Sequence, residues 1–240
     1  MTALRSEWVA LPVSDGTSMN AYVARPATSS PSAPAIAVFQ EAFGVNAHIR
    51  DVAERFAALG MVAIAPELFH RTAAGFVGSY TDFDAVRPHM AGLTAAGINA
   101  DIDATFDWIR NDPGIDPDEV AAIGFCMGGR VTYMANARAN LRAAVSFYGG
   151  GIVPDLLPLA PEQRGPILMF WGGLDQHIPP EQYRAVADAL TAAGATHEQV
   201  VFSGADHGFF CDQRASYNPI ASRQAWSMLK EFLASYGIHA

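Results

Sequence analysis

Residues 120–137 read VAAIGFCMGGRVTYMANA: an apolar run, then Gly124-Phe125-Cys126-Met127-Gly128-Gly129, then a stretch of helical composition. The run suits a buried strand, and the glycines on both sides of Cys126 mark a sharp turn into a helix. It is a G-x-nucleophile-x-G elbow with Cys126 at its tip. Such a turn holds its central residue in a strained conformation, and a side chain at Gly124 or Gly128 is expected to collide with the neighbouring strand or helix. The sulfur is thereby pushed out of the sheet end and set at a helix N-terminus. Partial positive charge there favours thiolate, and the N–H of Met127 is placed to donate to an oxyanion. The alternative for a free cysteine, burial as a small hydrophobe, suits Cys211, which has no comparable setting.

Working outward, short apolar runs alternate with helical patterns. Strands are expected at AIAVF (35–39), MVAIAPE (61–67), VAAIGF (120–125), AAVSFY (143–148), PILMFW (166–171) and EQVVF (198–202). Helices are expected at 47–59, 98–111, 128–138, 181–193 and 219–235. This is the βαβ rhythm of a mostly parallel sheet with helices on both faces. The first 26 residues differ: two short strands, 7–11 and 18–24, joined by Ser14-Asp15-Gly16, predict an antiparallel edge hairpin. ATSSPSAP at 27–34 is small, polar and proline-rich and reads as a surface loop. Residues 68–96, rich in Gly, Phe, Tyr, Arg and His, show no clear period. A long loop of that kind inside a compact domain is often functional. There is no internal repeat, and residues 1–240 read as one α/β domain.

Composition agrees with a sheet buried on both faces, since 50% of residues are hydrophobic and only 16% charged. The net charge is -9 and the 15 Lys+Arg are scattered, which argues against nucleic acid and anionic membrane surfaces as partners. No apolar run reaches the roughly 18 residues of a spanning helix. The opening MTALRSEWVALPVSDG lacks a secretory pattern, so a reducing cytoplasm, where a free thiol persists, is the expected compartment. A monomer or small homo-oligomer is expected.

A free thiol is only a few per cent thiolate near neutral pH, so a base should stand close by. His207, in SGADHGFF directly after EQVVF, is the best placed. FWGGLDQHIPPE follows PILMF in the same way and presents Asp175 just before a helix. The order nucleophile, acid, histidine at 126, 175 and 207 is that of the α/β-hydrolase fold. Asp175 would accept a hydrogen bond from one ring nitrogen of His207 and fix its tautomer. The competitors His177 and Asp206 are one or two residues out of position, and the remaining histidines lack the context.

With these residues in place, QEAFGVN (40–46), GFCMGG (124–129), WGGLD (171–175) and DHGFF (206–210) resemble the dienelactone hydrolases, or carboxymethylenebutenolidases. The resemblance runs from the first main strand to the last helix, with the four motifs in the family's order. It implies a Cys126-His207-Asp175 triad acting on an enol-lactone or other activated ester, with no metal or organic cofactor. It also implies that Glu41 keeps the thiol neutral at rest and takes its proton when substrate arrives, and that the N–H of Ala42 joins that of Met127 as oxyanion donor.

One departure loosens the choice of substrate. Family members that act on dienelactone carry an arginine shortly after the catalytic histidine, where this chain has Cys211, the nearest arginine being Arg214. Arg71, Tyr80 and Arg87 of the long loop, together with Phe43, Phe209 and Phe210, are the other candidates for substrate contact. A broader carboxylesterase or thioesterase on the same triad is the second enzyme reading. A binding module that kept the fold without the chemistry is the reading from another class.

Overall fold

The computed structural model describes residues 3–28 and 32–239. Eight strands form one sheet in the order β1-β2-β4-β3-β5-β6-β7-β8. The strands are β1 (Leu4–Pro12), β2 (Ser18–Pro26), β3 (Ala33–Phe39), β4 (Val62–Pro66), β5 (Ile115–Phe125), β6 (Ala143–Phe147), β7 (Ile167–Gly172) and β8 (His197–Phe202). β1 pairs antiparallel with β2 and β2 antiparallel with β4, whereas β3–β4, β5–β6, β6–β7 and β7–β8 are parallel. This is the mixed, mostly parallel sheet of an α/β-hydrolase, with the expected hairpin at one edge. β3 starts at Ala33, inside the expected 27–34 loop, whose residues 29–31 lie outside those described.

The chain divides at Val120, inside β5, into two compact units. The first holds β1 to β4, α1 (Ala47–Ala58), α2 (Phe83–Ala91) and α3 (Ala95–Asn111). Asn46 caps α1 by accepting from the N–H of Ile49 at 3.1 Å, and the helix buries Ile49, Val52, Ala53, Phe56 and Ala57 at helical spacing. α2 was not expected. It lies within the 68–96 stretch, carries Pro88 inside it, and buries only Val86, so no apolar period betrays it. Asp82 caps it by accepting from the N–H of Ala85 at 3.2 Å.

The second unit holds the end of β5, α4 (Met127–Arg138), β6, a 3-10 turn at Leu157–Glu162, β7, α5 (Pro180–Ala192), β8 and α6 (Pro219–Ser235). Residues of β6 and β7 are buried throughout, as expected for central parallel strands. α6 begins as the sequence signals: Asn218 accepts from the N–H groups of Ile220 and Ala221, and Pro219 takes the first helical position. Among the described residues no helix is long and apolar enough to cross a membrane.

Candidate active site

β5 ends at Phe125 and α4 begins at Met127, leaving Cys126 alone at the elbow with φ 55° and ψ -116°. A non-glycine residue in that region is strained and needs support. Support comes from the neighbouring strand, where the carbonyl of Phe147 accepts the Cys126 N–H at 3.0 Å, and from Gly129, whose N–H donates to the Cys126 carbonyl at 3.0 Å. The glycines are needed for close approach. A Cβ on Gly124 would sit 2.0 Å from the Gly128 carbonyl oxygen, and one on Gly129 would sit 2.7 Å from the Cα of Gly149. Gly129 thus meets the next segment of chain, and Gly124 meets the start of α4. Met127 opens α4, so its N–H belongs to the helix start, which lacks acceptors within the helix.

The loop after β8 carries His207 and the loop after β7 carries Asp175. Nδ1 of His207 donates to Oδ2 of Asp175 at 2.7 Å. The other carboxylate oxygen accepts from the N–H groups of His177 and Ile178 at 2.8 and 3.2 Å, which locks the acid ahead of α5. His207 also hydrogen-bonds the side chain of Cys126. Burial by itself lowers the His207 pKa, but the charge of Cys126 and then the bond from Asp175 outweigh it and lift the imidazole to about 10. Burial raises the Asp175 pKa, yet its bonds to His207 and to the backbone win and hold it below the usual range. This arrangement can hold a positive imidazole between the Asp175 carboxylate and the Cys126 side chain.

Sequence reasoning overlooked Tyr148, which follows β6 with φ 37° and packs its ring 5.0 Å from that of His207. Phe209 and Phe210 are core residues and not pocket walls. Phe209 packs on Tyr148 and Phe202, and Phe210 stacks on Phe125, with both side chains essentially closed to solvent. His177 stands T-shaped to His207 at 5.4 Å, and Asp206 accepts the His207 N–H at 2.6 Å. Neither of these two takes the place of Asp175 at the ring nitrogen.

In the first unit Glu41 and Ala42, just past β3, are buried. Ala42 and Phe43 form an apolar cluster with Val86, against which Phe76, Tyr80 and Met90 pack. The Tyr80 hydroxyl accepts from Asn46 at 2.8 Å and its ring lies 4.6 Å from Phe43. Arg71 is a strut: it donates to both oxygens of the fully buried Asp101 at 2.8 Å and to Asp15 at 2.6 Å. His70 shares Asp101 at 3.0 Å. Arg87 pairs with Asp84 on the exposed side of α2. Arg214 packs its guanidinium against Gly208, in the second unit and next to His207. Arg214 thus lies beside the histidine loop within its own unit.

The sequence model of the dienelactone hydrolase family matches residues 19–237. The chain belongs to the dienelactone hydrolase family. A provisionally named carboxymethylenebutenolidase of Synechocystis sp. is 41% identical over 208 residues, covering 82% of this chain and 84% of its own. The crystal structure of a provisionally named dienelactone hydrolase from Klebsiella pneumoniae superposes with a TM-score of 0.89 at 33% identity, covering 97% of this chain and 99% of that one. An esterase from Thermogutta terrifontis with propionate bound reaches a TM-score of 0.70 at 25% identity, covering 98% and 96%. This dienelactone hydrolase family member is therefore a hydrolase of small carboxylic esters or lactones.

Within the family fold, a second residue escaped sequence reasoning. Arg130 stands in the first turn of α4, partly buried, with its Nε closed to solvent and without a hydrogen-bond partner. Its spacing from the elbow was the available signal.

Proposed function

We propose that this hydrolase opens an enol-lactone, or cleaves a similarly activated ester, through a thioester on Cys126. The observation that carries the reading is the hydrogen-bonded series Cys126, His207, Asp175, with the His207 imidazole lifted to about 10. The Cys126 thiolate attacks the carbonyl carbon, and the carbonyl electron pair becomes an oxyanion received by the N–H of Met127. From the family resemblance, the N–H of Ala42 is the second donor and Glu41 the group that handles the resting proton. Collapse expels the enolate or alkoxide, which takes its proton from the His207 imidazolium and, in a lactone, stays tethered. Neutral His207 then draws a proton from water, hydroxide adds to the thioester, and the thiolate leaves as the acid is released. We place the enzyme in a reducing cytoplasm, where a thiol nucleophile persists, and read residues 1–240 as one domain.

A broader esterase or thioesterase is the second reading. It is favoured by Cys211 at the position of the family's expected arginine, fully buried and therefore no clamp for a substrate carboxylate. Arg214 is the remaining candidate clamp, because its guanidinium packs beside the residue that follows His207. A panel of enol-lactones, aryl esters and acyl thioesters, compared by kcat/KM, separates the readings. Enol-lactones leading the panel supports the first, and an equal or better rate on simple esters replaces it with the second. In the same assay Cys126→Ser should lose most activity, since a hydroxyl is far harder to ionise; full activity in that variant overturns the thiol mechanism.

A further inference from the structure

β1 is one edge of the sheet, paired only with β2 and exposed along almost its whole length. Hydrogen bonds at the two ends of the hairpin fix which backbone groups face outward. The Ala27 N–H donates to the Ala3 carbonyl at 2.8 Å, and the Val13 N–H donates to the Thr17 carbonyl at 3.0 Å. Bonded and non-bonded pairs alternate along an antiparallel ladder, so the odd-numbered residues of β1 turn their N–H and C=O groups to β2. Leu4, Ser6, Trp8 and Ala10 present theirs to the open side. Such an edge is a template for another strand unless something blunts it, and Pro12, which has no N–H, blunts only the far end. Side chains alternate as well. Leu4 and Trp8 share one face and leave 37% and 47% of their surface in water. Arg5 and Glu7 share the other. Arg5 lies opposite Arg25, a like charge already paired with Asp112 at 2.8 Å. Among the described residues neither Arg5 nor Glu7 is part of an ion pair. An open hollow of about 510 Å³, bounded by Arg5, Ser6, Glu7 and Arg25, lies beside them.

We propose that β1 pairs antiparallel with β1 of a second copy of this chain, about a two-fold axis through Ser6. That register sets Arg5 against Glu7 of the second copy, and Glu7 against its Arg5, on one face. On the other face it sets Leu4 against Trp8. The outward N–H and C=O groups of Leu4, Ser6 and Trp8 then bond across the axis. Other registers that match the outward groups fit worse. An axis at Arg5 or at Glu7 sets that charge against its own copy. One at Trp8 sets Arg5 against Leu11 and brings Pro12 into the ladder. The occupant is a second copy rather than an unrelated strand, because Arg5 and Glu7 complement themselves under the two-fold operation. The pairing is independent of the chemistry assigned to Cys126.

The test is sedimentation equilibrium of the full chain from about 5 to about 500 µM, for wild type, Arg5→Glu, Glu7→Arg and the double swap. Wild type should dimerise reversibly with a micromolar dissociation constant. Each single substitution makes both cross-axis pairs like-charged and should raise that constant about 30-fold. The double swap, and an equimolar mixture of the two single variants, should bring it back to within about threefold of wild type, because opposite signs meet again. Amide exchange at Leu4, Ser6 and Trp8 should slow as concentration rises, while Arg5 and Glu7, already bonded to β2, should not change. Melting temperature and kcat/KM on an activated ester should stay at the wild-type level throughout, which separates lost pairing from lost folding. Where a charge reversal lowers the melting temperature, Arg5→Gln or Glu7→Gln replaces it, with an expected weakening of about fivefold. A chain that is monomeric across the whole range overturns the proposal and leaves the two charges as guards of the edge. A dimer indifferent to both single substitutions, or a mixture no tighter than its components, puts the contact on another surface and overturns it as well.

Discussion

Asp175 accepts the Nδ1 proton of His207 at 2.7 Å while its second oxygen takes two backbone N–H groups. The acid is thus fixed independently of the histidine it orients. It can impose one tautomer on the ring, with Nε2 left for the sulfur side. Asp175→Asn keeps the shape but supplies an amide that can favour the other tautomer. We expect kcat on an activated ester to drop by on the order of 10⁴-fold with the melting temperature little changed. Steady-state kinetics beside a thermal melt check this.

Stability should depend on His207 in alkaline solution. Its pKa in the folded protein is about 10, above the ordinary 6.5, so the folded state holds this proton more tightly than the unfolded chain does. The resulting stabilisation is complete below the unfolded value and is lost as pH rises through the folded one. Urea midpoints should therefore fall more steeply between about pH 7 and pH 10 in wild type than in His207→Gln. Asp175 acts at the acid end, where its lowered pKa stabilises the fold until pH drops through the folded value. Parallel curves for wild type and His207→Gln in the alkaline range would contradict the raised pKa.

Arg71 and His70 share the buried carboxylate of Asp101, which makes them a brace in the first unit. Asp101→Ala removes the buried carboxylate that His70 and Arg71 share, leaving the half-buried guanidinium its Asp15 contact, and should cost about 1–3 kcal/mol of stability. Arg71→Met should lower stability while leaving KM for carboxylate-bearing esters unchanged. Chemical denaturation and a KM comparison separate this brace from a substrate clamp.

Gly124→Ala tests the elbow. The added Cβ would meet backbone at 2.0 Å and the Thr132 hydroxyl at 2.5 Å, and the backbone contact cannot be relieved by a rotamer change. A loss of about 3 kcal/mol by urea unfolding is expected, with activity falling further than the folded fraction explains.

Much of this was legible before any coordinates. The run VAAIGF followed by glycines located β5 and the turn, and the loops carrying Asp175 and His207 were found because each follows an apolar strand. What escaped was created by tertiary packing. α2 hides behind Pro88 and a polar surface, since a helix that buries only Val86 leaves no period to read. Phe209 and Phe210 stand next to His207 in sequence, yet just past it they are packed among Phe125, Phe147 and Phe202. Arg71 looked available because its partner Asp101 lies 30 residues away. Tyr148 carries no motif and shows itself only by the ring it packs against, while Arg130 offered only its spacing from the elbow.

The central claim is that Cys126 becomes acylated. The most direct measurement is rapid acid quench of the enzyme turning over a slow activated ester, followed by peptide mass spectrometry. An acyl mass on the Cys126 peptide, formed and lost at rates that support turnover and absent from Cys126→Ala, is the predicted result. Full hydrolysis with no adduct on Cys126, and undiminished activity in Cys126→Ala, would contradict it.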